Sequence, residues 1–157
     1  MKKVVFFLLM AACAALMFCS CDPMENNGDP TKTVVGSWRL ESCLVEIKTT
    51  LDGNTNKTSN TTDYTADHVY LLLNDMFLAT GYYNLEMKTS VYNYESIKGT
   101  IRFLDGISVS GNGKAMILVG SYNCEVSGNK MILKQYFGVE AANEQTTYTF
   151  HREDRND

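Results

Sequence analysis

Between Val34 and Arg152 no segment sustains a helical period; short apolar runs alternate with the residue pairs that make tight turns. Val35 to Ile47 reads as a long first strand. His68 to Leu73 and Met76 to Tyr83 follow, joined at Asn74-Asp75. Val91 to Tyr94, Thr100 to Leu104 and Ile107 to Ser110 come next, the last two separated by Asp105-Gly106. Asn112-Gly113 leads into Ala115 to Val126, with Gly120 in its middle where a bulge or barrel corner would place a glycine. Ser127-Gly128-Asn129 turns the chain into Met131 to Phe137, and Thr146 to Arg152 is the last strand. A helical turn is expected only near Glu140 to Glu144. Thr49 to Asp67 is almost wholly Thr, Asn, Asp, Gly and Lys, and reads as a long mobile loop. The expected fold is all-β: a single antiparallel meander of about eight to ten strands that closes to remove its edges. A flattened sandwich with the same strand order is the alternative.

The first residues carry an address. Lys2 and Lys3 precede an unbroken apolar run from Val4 to Met17, too short to span a bilayer and typical of a secretory signal. Phe18-Cys19-Ser20-Cys21 follows. A small residue before a cysteine, with an apolar residue three ahead of it, resembles the lipobox of bacterial lipoproteins, in which the cysteine becomes the lipid-bearing first residue. Cys21 fits that pattern; Cys19, behind the bulky Phe18, fits worse. The resemblance implies a signal peptide over 1–20, a lipidated tether over 21–33 and a barrel domain over 34–157. Asp22, Glu25 and Asp29 behind the cysteine resemble the acidic export signal of Bacteroidetes-type surface lipoproteins, and fit a solvated linker equally well. The expected location is the cell envelope, lipid-anchored at the outer membrane, on its periplasmic or surface face.

Cleavage before Cys21 leaves 137 residues, enough for one domain with a core, and 12 basic against 18 acidic side chains. A net charge near −6 without any Lys or Arg cluster argues against nucleic-acid partners. It also leaves membrane attachment to acyl chains on Cys21. Cys43 and Cys124 remain, in a compartment that permits a disulfide. Cys124, in step with Tyr122 and Val126, reads as inward-facing, whereas the face of Cys43 is ambiguous. Two separate buried thiols and a Cys43–Cys124 bridge both stay open.

Gly36-Ser37-Trp38 opens the first strand, and Tyr148-Thr149-Phe150-His151-Arg152 closes the last. Together these ends resemble the lipocalin-like domains of the calycin group, which implies an eight-stranded lipocalin-like β-barrel. In that family an Arg closes the barrel floor over the Trp, and Arg152 and Trp38 match those positions, with Gly36 beside them. The chain departs from the family in lacking the cysteine pattern of many secreted lipocalins. Barrels of this size hold one small ligand when interior side chains leave room. Nine tyrosines suit such a pocket, and Tyr70, Tyr82 and Tyr122 are the candidate ligand contacts.

Catalytic and metal signatures are missing. His68 and His151 lack ligand spacing, so no metal site is expected from them with the cysteines. Gly111-Asn112-Gly113-Lys114 imitates the end of a phosphate loop, but Ser108 replaces the leading Gly and Ala115 the magnesium-reaching Ser or Thr. Asp52, Asn54, Asn56 and Asp63 echo a calcium loop, with Lys57 where Gly is needed. The expectation is a non-enzymatic protein without cofactor, binding a small apolar or amphipathic ligand. The competing expectation is a filled barrel acting as an interaction subunit with an envelope protein partner. Apolar residues on both faces of Val69 to Leu73 and of Ala115 to Val119 leave room for the latter.

Overall fold

The computed structural model describes residues 34–138 and 142–153, so the signal segment, Cys21 and the tether lie outside the described residues. Nine strands appear among them: β1 (Gly36–Leu51), β2 (Asn54–Asp63), β3 (Val69–Leu73), β4 (Leu78–Tyr83), β5 (Glu86–Glu95), β6 (Thr100–Gly111), β7 (Lys114–Ser127), β8 (Lys130–Gly138) and β9 (Ala142–Arg152). β1 and β3 through β9 pair in meander order, and β1 pairs β9 from Trp38↔Arg152 to Thr49↔Ala142. This is a closed eight-stranded antiparallel barrel with one extra strand, consistent with a lipocalin-like fold. No described helix is long and apolar enough to cross a membrane.

The extra strand corrects the expected loop over Thr49 to Asp67. β2 pairs with β1 from Ser42↔Asp63 to Leu51↔Asn54. β3 covers the same edge of β1 only from Gly36 to Arg39, so the longer strand leaves an open edge above it. Asp52 (φ 45°) and Gly53 (φ 79°) supply the paired left-handed residues of a tight hairpin turn. The threonines at 55, 58, 61 and 62 favour an extended backbone. Every residue of β2 except Thr62 is exposed, so the strand needs no apolar face, and that is why its composition misled.

Three smaller corrections concern where strands break and start. Asp105-Gly106 is no turn; β6 runs through it as a bulge between Phe103↔Gly120 and Ile107↔Leu118. There Ser90 Oγ accepts the Asp105 N–H at 3.1 Å. The β3–β4 loop runs from Asn74 to Phe77, because the Asn74 carboxamide oxygen accepts from the Met76 and Leu78 N–H groups and so delays the start of β4. A hairpin turn at Asn84 (φ 54°) and Leu85 starts β5 at Glu86 rather than Val91. Of the turn expected near Glu140 to Glu144, residues 139–141 lie outside the described residues, and Asn143 and Glu144 belong to β9.

Alternation decides what fills the barrel. Trp38, Leu40, Val69, Leu71, Tyr83, Ile101, Phe103, Met116, Leu118, Tyr122, Leu133 and Phe150 are almost completely buried. Phe103, Tyr122, Tyr148 and Phe150 run in successive ring contacts of 5.8–6.3 Å across the interior, each worth about 0.5–1.5 kcal/mol beyond burial. At the floor, Trp38 donates through Nε1 to the Val34 carbonyl at 2.7 Å. The Arg152 guanidinium lies 4.4 Å from the Trp38 ring centroid, and Arg152 donates to the Val35 carbonyl at 3.2 Å. Gly36 has φ +145°, and a Cβ there would sit 3.1 Å from the Arg152 guanidinium. Close approach and backbone together require glycine in the Gly-x-Trp segment.

Candidate ligand-binding cavity

β7 is covered unequally on its two sides. β6 pairs it from Lys114 to Asn123, but β8 joins only from Asn123 onward. Among the described residues, Lys114 to Tyr122 therefore faces no strand on the β8 side. An open edge inside a barrel wall would leave peptide groups unsatisfied. Here side chains take the place of a strand. Tyr64 donates to the Ala115 carbonyl at 2.6 Å and Tyr148 to the Ile117 carbonyl at 2.7 Å. The Val119 N–H donates to the Tyr122 hydroxyl at 3.0 Å, and the Gln135 amide donates to the Val119 carbonyl.

Where the two walls part, a half-open cavity of about 440 Å³ remains above the aromatic floor. One wall is the inner face of the β1–β2–β8–β9 sheet, with Cys43, Val45, Thr62 and Thr146. The other is β7, with Ala115, Ile117 and Val119. The rings of Tyr64, Tyr122 and Tyr148 line it as well, and Lys114, Gln135 and Glu144 stand among its polar groups. Such a volume lies within the usual range for small-molecule sites. Burial pushes the phenol of Tyr122 up to about 12 and that of Tyr148 higher still; it also raises the Cys43 thiol. The cavity therefore presents neutral rings, a neutral thiol and two threonines beside the charged Lys114 and Glu144, a mixed surface suited to an amphipathic molecule.

A polar latch braces one side. Asp67, in the segment between β2 and β3, accepts from Lys114 at 2.5 Å, Asn112 at 3.2 Å and the Tyr83 hydroxyl at 2.9 Å. Lys114 also donates to the Asp63 carbonyl at 2.7 Å and lies 5.4 Å from the Tyr64 ring centroid. These three donors, Lys114 foremost, hold the Asp67 carboxyl down at about 2. A carboxyl lowered on folding adds stability above its unfolded value and loses it as pH falls toward the folded one. Asp67→Asn should therefore be less stable than wild type by a gap that is full above about pH 4 and closes near pH 2. Urea unfolding across that range measures it; a gap unchanged at pH 2 would remove Asp67 as its source.

The candidate residues divide. Tyr122 lines the cavity. Tyr70 and Tyr82 do not: they are register partners on the outer wall, because Val69, Leu71 and Leu73 on β3 and Gly81 and Tyr83 on β4 take the inward parity. Cys43 and Cys124 are free, buried thiols. The register Cys43↔Tyr148↔Leu133↔Cys124 separates them by three strand spacings, about 14 Å along the sheet, beyond disulfide reach. Burial pushes the Cys124 thiol up to about 12. The phosphate-loop imitation is the β6–β7 hairpin turn, with Asn112 (φ 53°) and Gly113 (φ 74°). His68 lies in the segment before β3 and His151 on β9, and no group of metal-ligating residues gathers among the described residues.

Sequence reasoning missed Tyr64, Gln135, Thr146 and Tyr148. A lone aromatic inside the polar 49–67 stretch was the available signal for Tyr64. Nothing local marks Gln135, whose role depends on the parting of β7 from β8. Compared with known protein families, with curated proteins and with solved structures, the chain matches none.

Proposed function

We propose that the protein is a lipid-anchored envelope lipoprotein of Bacteroidetes type whose barrel binds a small apolar or amphipathic molecule. The observation that carries the binding reading is the cavity of about 440 Å³ in the parted barrel wall. An interaction subunit with a filled interior would not need it. Tyr64, Tyr122, Tyr148 and Gln135 already spend hydrogen bonds on the β7 edge, so their rings and the aliphatic side chains of Val45, Ala115, Ile117 and Val119 supply apolar surface beside Lys114 and Glu144. The same engagement, with thiols driven up by burial, supports a binding rather than a catalytic role. The anchor reading rests on Ser20-Cys21 behind the apolar signal.

Filling the cavity tests this function. Val45 is only partly buried and packs at the edge of the core, so a larger side chain can extend into the open space. Val45→Trp should weaken binding of a fluorescent fatty-acid or anilinonaphthalene probe by at least about tenfold, roughly 1.4 kcal/mol. Its far-ultraviolet circular dichroism should stay that of wild type. Equal probe affinity in the two proteins would overturn the cavity as the site.

A further inference from the structure

We infer that the barrel does not merely hang from its anchor but rests its floor end on the lipid bilayer, through Met76, Phe77 and Ile97. The inference builds on the anchor at Cys21. In an antiparallel meander the start of β1, the end of β9 and the β3–β4, β5–β6 and β7–β8 loops fall at one end. Register confirms the neighbourhood: Gly36 pairs Leu73, at the foot of the β3–β4 loop, and the Arg152 N–H donates to the Asn129 carbonyl in the β7–β8 turn. The chain from Cys21 thus reaches the barrel at the end where these loops stand. Its thirteen residues, Cys21 to Thr33, can span at most about 45 Å, so that end is never far from the lipid.

This end exposes three large apolar side chains among polar neighbours such as Asp75, Glu95 and Asn129. Met76 is 71% exposed, Phe77 46% and Ile97 100%. The tip is built rather than frayed. Phe77 adopts φ 60°, a conformation that side-chain-bearing residues rarely take. Its ring lies 5.9 Å from that of Tyr92, whose hydroxyl donates to the Asn74 carbonyl at 2.7 Å while the Asn74 side chain holds the Met76 and Leu78 N–H groups. In the β5–β6 loop the Lys98 ammonium is paired to Glu95 at 2.6 Å, so Ile97 does not stand beside an uncompensated charge. The apolar surface continues up the wall, where Leu78 pairs Val91 and both are partly exposed. With a net charge near −6 on the mature chain, attraction to anionic headgroups is not the force. Apolar side chains entering the interfacial region are, and they act without regard to salt. Leu51 and Leu85 are also bare, but they cap hairpins at the opposite end, away from the anchor.

The test uses the mature chain purified from a host that processes it, placed in phosphatidylcholine vesicles with brominated acyl chains. Phe77→Trp, Ile97→Trp and Leu85→Trp each report on one tip against the buried Trp38 of the parent. Emission from positions 77 and 97 should shift to the blue and fall at least about twofold relative to unbrominated vesicles, at low and high salt alike. Position 85 and the parent should not change. Co-flotation without quenching at 77 and 97, or equal quenching at 85, overturns the docking. A blue shift at 77 and 97 that needs no vesicles and grows with protein concentration assigns the face to a second copy, and overturns it too. Mass analysis of the amino-terminal peptide reads the anchor separately. If Cys21 carries no lipid the anchor reading falls alone, and the same vesicles in excess decide the docking: quenching sustains it and its absence ends it.

Discussion

Trp38→Ala is expected to lower the unfolding free energy by about 3–5 kcal/mol, a large share of the 5–15 kcal/mol typical of a domain this size. Three losses add at one site. The indole is completely buried, so its removal leaves a cavity in a closed barrel floor that cannot collapse. The Val34 carbonyl loses its Nε1 donor. The Arg152 guanidinium, 4.4 Å from the ring centroid, loses the aromatic face over which it sits. Arg152→Met keeps the apolar stem and removes the charge, and should cost less, on the order of 1–2 kcal/mol. Urea unfolding followed by circular dichroism measures both, since the only tryptophan is itself replaced. A loss below about 1 kcal/mol for Trp38→Ala would show that the ring does not close the floor.

The other large effect falls on location rather than stability. Cys21→Ala should move the protein from the membrane fraction to the soluble fraction, or leave it unprocessed, while the barrel still folds. Lipid attachment requires a thiol at the new amino terminus, and Cys21 supplies one behind the small Ser20. Several acyl chains on one cysteine anchor far more firmly than one chain, so their loss is close to all-or-none. The barrel should survive because, among the described residues, its strands begin at Gly36 and close on one another from β1 to β9. Fractionation with mass analysis of the amino-terminal peptide decides it. An unmodified Cys21 in the mature wild-type protein would end the lipoprotein reading and the outer-membrane location with it.

The meander, its closure and its floor were legible in the sequence because each rests on local information. Alternation with period two marks strands wherever one face is buried, and Asn112-Gly113 supplies the paired left-handed residues of a tight hairpin. Trp38 and Arg152 sit at the two ends that any closed even-stranded antiparallel barrel must bring together. What the sequence could not say is which local signal the fold would override. Asp105-Gly106 has the same turn chemistry as Asn112-Gly113, yet it became a bulge, because β6 resumes its pairing with β7 beyond it, from Ile107↔Leu118 to Gly111↔Lys114, and Ser90 takes up the Asp105 N–H. Asn54 to Asp63 lacks any apolar pattern, yet it is a strand, because an over-long β1 presented an open edge and an outer strand needs no buried face. Tyr82 and Tyr83 are indistinguishable by composition; one residue of register sends the first outward and the second inward. The cavity lies furthest from the sequence. It exists because β7 leaves β8 at Asn123 and phenols from distant segments bond the freed edge, a consequence of strand lengths and register that no short stretch of residues encodes.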